Sequence, residues 1–162
     1  MNALRRVARI ASTDSLDRRM FLEALAYLTW ARLLLLLPFH KYARFLGQPM
    51  TETAQDTEPG SRESASRVSS AIRRAGRLTP LDTRCLVRAI AAMKMLQRRE
   101  VETTLYLGTA KDKDGRMIAH AWLRCGNQYV TGAEEMRGFT VVGKFARHTF
   151  QRNMRDRNGS NR

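Results

Sequence analysis

The sequence contains few of the residues that build disulfide-stabilised or zinc-stabilised proteins. Its 162 residues include only two cysteines, Cys85 and Cys125, and three histidines. Two cysteines are too few for a disulfide scaffold, so we expect two free thiols. The chain has neither a CxxC nor an HExxH motif, which argues against a structural zinc site. We therefore expect no metal and no other cofactor.

Long hydrophobic runs are scarce as well. The most apolar stretch, Met20–Phe39, is interrupted by Glu23 and Arg32, whereas a membrane span needs about 20 mostly apolar residues. The sequence also lacks an early apolar region with a small-residue cleavage site, the pattern of a signal peptide. We expect a soluble, cytoplasmic protein whose N-terminal helix is buried or forms a groove. Loose association of this helix with a membrane surface is an alternative.

Acidic residues are outnumbered, and the charge balance is strongly positive. The 29 lysines and arginines face 15 acidic residues, which gives a formal net charge of +14. Such a charge favours an anionic partner: nucleic acid, an acidic lipid surface or an acidic peptide. The basic runs are spread over the chain, however, with no recognition helix or interleaved aromatic residues. Because 43% of the residues are hydrophobic, we expect a folded core with a solvated arginine-rich surface.

The pattern along the chain predicts an α+β protein. We divide it into an N-terminal helical extension (1–47), a polar linker (48–66), a core (67–150) and a basic tail (151–162). Within the core, an apolar stripe predicts a helix that stops at Gly76. The next helix starts with the signature Thr79-Pro80-Leu81-Asp82 and runs to about Glu100. It is apolar nearly all round, which is typical of a central helix.

The second half of the core predicts a small antiparallel sheet packed on this central helix. Alternating apolar residues separated by turn-forming glycines indicate strands over residues 102–108, 117–124, 128–131 and 138–142. Gly126-Asn127 separates the second and third of these closely enough for a hairpin. The order of helices first and strands second favours the α+β class.

Two residues of the predicted core can carry chemistry together. Cys85 lies near the start of the central helix, where the positive end of the helix dipole favours a thiolate. His120 lies in the middle of a predicted strand and could accept the thiol proton and return it to a leaving amine. The amide of Cys85 could help to hold an oxyanion. From the spacing alone, a buried structural cysteine and histidine remain the simpler explanation.

The segments around these residues resemble the lasso-peptide leader peptidases, a branch of the transglutaminase-like cysteine proteases. The matching elements are Arg84-Cys85-Leu86, Arg88-Ala89, Leu96 with Arg98-Arg99, Leu107-Gly108, Ala119-His120-Ala121-Trp122, Gly126 and Val130-Thr131-Gly132. The stretch from Phe21 to Gly47 is similar to the lead-in of this family. The resemblance implies that Cys85 is the nucleophile and that His120 is the general base and then the acid. It also implies a ribosomally made precursor peptide as substrate, cut between its leader and the core that becomes the lasso.

Two positions depart from the pattern of this family. At the end of the central helix, Glu100 stands where members usually have glycine after the paired arginines, which predicts a different helix cap and not a different fold. The family usually has an aspartate about a dozen residues after the histidine, which orients the imidazole, but this stretch reads Thr131-Gly132-Ala133-Glu134-Glu135. We assign the third catalytic role to Glu134. Glu135, a backbone carbonyl or Asn127 are alternatives, and both glutamates also fit solvated loop positions. Trp122 would pack over the dyad or fill the core, and Cys125 is interpreted as a bystander.

The resemblance also implies partners for the protein. Residues 1–66 offer a helix and a linker, not the strands that a leader-recognition domain needs, so we predict a separate leader-binding protein. A macrolactam-forming cyclase would receive the released core. Leu33–Phe39 is either a docking surface for such a partner or part of the protein's own core. The alternative functions are a basic nucleic-acid-binding protein, a non-catalytic scaffold with the same fold, and acyl transfer to an amine.

Overall fold

The computed structural model describes residues 15–79 and 84–149, and these residues form an α+β structure. The helices are α1 (Ser15–Leu34), α2 (Phe39–Tyr42), a 3₁₀ turn (Ala43–Phe45), α3 (Pro59–Leu78) and α4 (Cys85–Gln97). The strands are β1 (Gln48–Pro49), β2 (Thr103–Lys111), β3 (Met117–Cys125), β4 (Gln128–Thr131) and β5 (Thr140–Arg147). The predicted fold class is confirmed.

The strands form one antiparallel sheet in the order β1-β5-β2-β3-β4. Strands β2 and β3 make a long hairpin in which Gly108 lies opposite His120. The two-residue turn Gly126-Asn127 connects β3 to β4, as the sequence predicts, and Gly126 has the positive φ of 56° that such a turn requires. Strand β5 pairs with the edge of β2 that faces away from β3. The segment between β4 and β5 therefore passes across the hairpin.

The helix α4 lies at the centre of the structure. It packs against α1, α3 and three strands of the sheet, and its residues are buried on almost every side, as predicted for a central helix. The fully buried side chains of this helix include Ile90, Met93, Met95 and Leu96. Burial of this much apolar surface is the main source of the stability of the fold.

The helix α1 contributes directly to the same core. Met20, Ala24, Leu28, Ala31 and Leu34 recur at helical spacing and join the cluster that contains α4. The inner face of α1 is therefore buried in the protein's own core, which was one of the two interpretations of this region, the other being a docking surface. Leu33, Leu36, Leu37 and Phe39 are exposed on the outside. Within the described residues, no helix is long and apolar enough to cross a membrane.

The segment predicted as a polar linker, residues 48–66, contains regular structure. It includes β1, and α3 begins at Pro59, where proline suits the first turn of a helix. Only Ala65 of the first two turns of α3 is buried, so these turns carry almost no apolar signal. The predicted tail, residues 151–162, lies outside the described residues.

The two faces of the sheet have different environments. Side chains alternate along a strand, and Ala121, Leu123 and Cys125 of β3 join the core formed with the helices. His120, Trp122 and Arg124 therefore point to the opposite face, which we call the outer face. There the Arg124 guanidinium donates hydrogen bonds to the Thr53 carbonyl, at 3.1 Å, and to Glu52, at 3.2 Å. These bonds hold the segment that follows β1 across the sheet.

Candidate active site

Cys85 is the first residue of α4, and Arg84 precedes it as the N-cap. The Cys85 side chain is half-buried and packs against the hydrophobic core. The first N–H groups of a helix have no partner within the helix, so the Cys85 amide can donate to an oxygen near the thiol. The helix-start signature proposed for Thr79–Asp82 lies mostly outside the described residues, and the described helix begins later than that signature predicts.

His120 is buried on the outer face of the sheet, with only 5% of its surface exposed. Its ring lies between two aromatic side chains: Trp122, with ring centroids 5.8 Å apart, and Phe139, at 5.2 Å. The stack continues from Trp122 to Tyr106, at 5.6 Å. Gly108 leaves space for it, because a Cβ at this position would lie 2.8 Å from the indole of Trp122. The ring of His120 is therefore stacked on Trp122 and contacts the tilted ring of Phe139.

Each ring nitrogen of His120 faces a different oxygen. Nε2 lies 2.9 Å from the carbonyl oxygen of Gly132, and Nδ1 lies 3.5 Å from Oε2 of Glu135. A carbonyl oxygen can only accept a hydrogen bond, so the neutral ring carries its proton on Nε2 and leaves the lone pair on Nδ1. Nδ1 is thus the atom of His120 that can act as a base.

The carboxylate beside His120 belongs to Glu135 and not to Glu134. The side chain of Glu135 is 77% exposed, while Glu134 is exposed and has no contact with the ring among the described residues. An exposed carboxylate interacts weakly because water and salt screen its charge. Glu135 therefore attracts a protonated ring only modestly, and the role assigned to Glu134 stays a prediction.

Gly132 supplies the stronger contact through its backbone. It lies twelve residues after His120, at the spacing where the family pattern described above carries an aspartate. Its φ is +74°, and a Cβ here would lie 2.5 Å from the Ala121 carbonyl oxygen and 3.1 Å from Nε2 of His120. The sequence is compatible with a backbone carbonyl in this role but does not identify Gly132 as its source. The glycine that ends Val130-Thr131-Gly132, directly after a strand, is the signal that points to it.

The structure brings His120 together with Gly132, Glu135, Trp122 and Phe139. Cys85 begins the helix that packs against β3, but within the described residues the ring nitrogens of His120 contact Gly132 and Glu135 and not the thiol. The contact of Phe139 with His120 was not predicted: the sequence places Phe139 in the strand expected over 138–142, whereas β5 begins at Thr140 and Phe139 lies in the turn before it.

The arrangement of a cysteine at a helix start and a histidine on the adjoining sheet can be compared with known families. The family model described as the transglutaminase-like superfamily matches residues 24–144. The chain belongs to the transglutaminase-like superfamily. This superfamily includes cysteine proteases, and the match is compatible with cysteine peptidase activity. No curated protein and no solved structure matches the chain.

The other cysteine of this transglutaminase-like protein has a different environment. Cys125 is 1% exposed and lies within the core between the sheet and the helices, whereas Cys85 is only half-buried at the start of α4. Burial raises the pKa of the Cys125 thiol, which disfavours the thiolate. The thiol lines a cavity of about 450 Å³ with Asp56, Glu58, Glu100 and Glu102. Neither Cys85 nor His120 lines this cavity.

The outer face next to the histidine is stabilised by charge. Glu52 accepts hydrogen bonds from the Lys144 ammonium, at 2.9 Å, and from the Tyr106 hydroxyl, at 2.8 Å. These two bonds hold the pKa of Glu52 below its ordinary value, and Arg124 adds to the effect. The guanidinium of Arg124 also lies over the Tyr106 ring, 5.8 Å from its centroid. These contacts hold Tyr106, which lies at the end of the aromatic stack away from His120.

Proposed function

We propose that this protein is a cysteine peptidase that removes the leader from a ribosomally made lasso-peptide precursor. The observation that carries the proposal is the hydrogen-bond arrangement of His120, in which Gly132 occupies Nε2 and leaves Nδ1 as a base. The Ala119-His120-Ala121-Trp122 motif at its distance from Arg84-Cys85-Leu86 supports the choice of substrate, since this pairing resembles the lasso-peptide leader peptidases. Membership of the transglutaminase-like superfamily supports the choice of chemistry.

In the first half of the proposed reaction, the leader is transferred to the protein. Proton transfer requires the Cys85 thiol to come within hydrogen-bonding distance of Nδ1 of His120, which faces Glu135 in this structure. Nδ1 then accepts the proton of the thiol, and the thiolate attacks the carbonyl carbon that joins leader and core. The Cys85 amide at the helix start donates to the resulting oxyanion. As the intermediate collapses, the C–N bond breaks and the protonated imidazole gives its proton to the departing amine of the core. The leader is left as a thioester on Cys85.

In the second half, water releases the leader. His120 accepts a proton from a water molecule, and the hydroxide attacks the thioester carbonyl. The C–S bond breaks, the leader leaves with a free carboxyl group, and the thiol of Cys85 regains its proton from the imidazole. An amine that replaced water at this step would give an amide of the leader, which is the acyl-transfer alternative.

The group that orients His120 is, in this proposal, the Gly132 carbonyl, with Glu135 as a weaker electrostatic aid in place of Glu134. A neutral carbonyl fixes the tautomer as a carboxylate would, but it stabilises the imidazolium less. The stacking of the ring on Trp122 and its tilted contact with Phe139 compensate in part, because they restrict the orientations that the imidazole can adopt.

The partners proposed for this function are the precursor peptide, a separate leader-binding protein and the macrolactam-forming cyclase that receives the core. The net charge of +14 favours delivery of an acidic leader or carrier protein. Leu33, Leu36 and Leu37 remain exposed on the outside of the N-terminal region and are the proposed contact for the leader-binding protein.

The test is an incubation of the purified protein with a synthetic precursor peptide and the leader-binding protein. Mass spectrometry of the products separates the outcomes. An intact leader with a free carboxyl group and a core with a free amine support hydrolysis. A leader joined to an added amine indicates acyl transfer, and an unchanged precursor contradicts the proposal.

A further inference from the structure

The strand that carries His120 is paired along only part of one edge. On one side, β3 pairs with β2 along all but its last residue, from Met117 to Arg124. On the other side, β4 pairs only with residues 123–125. Residues 117–121 therefore form a half-edge with no partner strand among the described residues. We call these five residues the open edge.

The backbone groups that face the open edge can be identified from the register. In a two-residue hairpin the pair that closes the turn is hydrogen-bonded, so the N–H and C=O of Cys125 point towards β4, opposite Gln128. Alternate residues of a strand point their backbone groups the same way. Met117, Ala119 and Ala121 therefore direct theirs to the open edge. The close approach of Gly132 to the Ala121 carbonyl, on the side of β4, agrees with this assignment.

The open edge carries none of the features that normally block strand pairing. Edges are commonly protected by proline, charged side chains or very short strands, but residues 117–121 read Met-Ile-Ala-His-Ala. Met117 is 66% exposed and Ile118 is 39% exposed, and they point to opposite faces of the sheet. An extended chain laid along this edge would find two backbone hydrogen-bonding positions, Met117 and Ala119, and an apolar contact on each face.

We propose that the open edge of β3 binds an extended segment of the substrate polypeptide as an added strand. The proposal rests on the proposed peptidase function, because it takes the occupant to be the chain that is cut. Its support is position: His120 lies inside the open edge, and its ring leans towards the same side, where Nε2 meets Gly132. A strand added here passes alongside the histidine. The hairpin end, residues 111–116, carries three basic and two acidic side chains, and this small positive excess favours an acidic residue in the segment that lies there.

The experiment uses one substitution that removes a backbone donor without changing the β2–β3 pairing. Ala119→Pro deletes the N–H that faces the open edge, and proline is tolerated on the unpaired side of an edge strand. Ala119→Val keeps the N–H and is the matched control. Both changes are made in a Cys85→Ala background, so that binding of a labelled peptide spanning the leader–core junction is measured without cleavage. We expect Ala119→Pro to weaken binding by about tenfold or more and Ala119→Val to bind like the parent.

Amide hydrogen exchange gives a second measurement on the same proteins. We expect the Met117 and Ala119 amides to exchange rapidly in the free Cys85→Ala protein and to become protected when the junction peptide binds. Equal peptide binding by Ala119→Pro and its parent would overturn the proposal. So would protection of these amides in the free monomer, or a dimer that Ala119→Pro dissociates, because either result would show that the edge is already covered.

The two proposals are separated by measuring cleavage in parallel. If a protein with intact Cys85 cleaves the precursor and Ala119→Pro does not change the KM, the proposed peptidase function holds and substrate binding at the open edge is refuted. If there is no cleavage but peptide binding still depends on the Ala119 amide, binding at the open edge holds and the proposed peptidase function is refuted.

Discussion

The Nε2 atom of His120 lies 2.9 Å from the carbonyl oxygen of Gly132, twelve residues further along the chain. This contact fixes the tautomer of a buried imidazole with a backbone group where a carboxylate is the more usual partner. The carbonyl keeps its position because Gly132 has a φ of +74°, a conformation that other residues adopt at a cost. The function proposed for His120 therefore depends on a residue without a side chain.

Substitution of Gly132 by alanine tests this dependence. The added Cβ would lie 2.5 Å from the Ala121 carbonyl oxygen and 2.9 Å from Cβ of Trp122, so the backbone must move and take the Gly132 carbonyl away from Nε2. We expect a loss of leader release of about tenfold or more, since a misplaced base transfers its proton poorly. The left-handed conformation alone should destabilise the protein by about 1–2 kcal/mol.

Gly115→Ala is the matched control for this substitution. Gly115 has a similar φ of +77° with nothing within 4 Å of the added Cβ. Chemical denaturation should show the cost of backbone strain alone in Gly115→Ala and a larger loss of stability in Gly132→Ala, where the steric clash adds to the strain, and only Gly132→Ala should lose activity. Equal activity in the two variants would show that the Gly132 carbonyl does not orient His120.

The two adjacent glutamates give a second comparison. Glu135→Gln removes the carboxylate 3.5 Å from Nδ1 of His120, and Glu134→Gln removes an exposed carboxylate without this contact. Exposed ion pairs contribute about 0.2–1 kcal/mol, so we expect Glu135→Gln to slow leader release by about two- to fivefold and Glu134→Gln to have no effect. The difference should shrink at high salt. A larger loss with Glu134→Gln would restore Glu134 as the third catalytic residue.

The pH dependence of stability should show how much the Glu52 carboxylate stabilises the outer face of the sheet. The pKa of Glu52 is lowered in the folded protein, mainly by its hydrogen bonds to Lys144 and Tyr106. A lowered pKa adds stability above the ordinary value of the group and loses it as the pH falls through the folded value. Denaturation curves should show Glu52→Gln less stable than the parent at neutral pH, with the gap closing in acid.

Glu63→Gln provides the control for that experiment. Glu63 pairs with Arg67 on the surface of α3, where both side chains are largely exposed, and such pairs contribute little to stability. We expect this variant to follow the parent at every pH. A gap between Glu52→Gln and the parent that stays constant from neutral to acid pH would show that the Glu52 carboxylate does not stabilise the fold through its charge.

The sheet and the central helix could be predicted because their signals are local. Strand alternation and the Gly126-Asn127 turn identify β3 and β4 to within a residue or two. The nearly continuous apolar surface of α4 identifies a helix at the centre. The start of α3 could not be predicted in the same way, because its first two turns face solvent and bury only Ala65.

The surroundings of His120 could be predicted only in part. The histidine and the neighbouring Trp122 follow from a motif, because a side chain can be recognised in a sequence. The Gly132 carbonyl is a backbone group that every residue possesses, so only its position in space distinguishes it. The choice between Glu134 and Glu135 depends in the same way on the turn geometry after β4, which carries no periodic signal.

The central claim is that Cys85 forms the thioester, and comparison of the two cysteines tests it most directly. Each is replaced by alanine, and leader release from the precursor peptide is followed by mass spectrometry in the presence of the leader-binding protein. We predict that Cys85→Ala abolishes release, while Cys125→Ala, which changes a thiol fully buried in the core, leaves release intact in protein that remains folded. Release by Cys85→Ala at the rate of the parent protein would contradict the account.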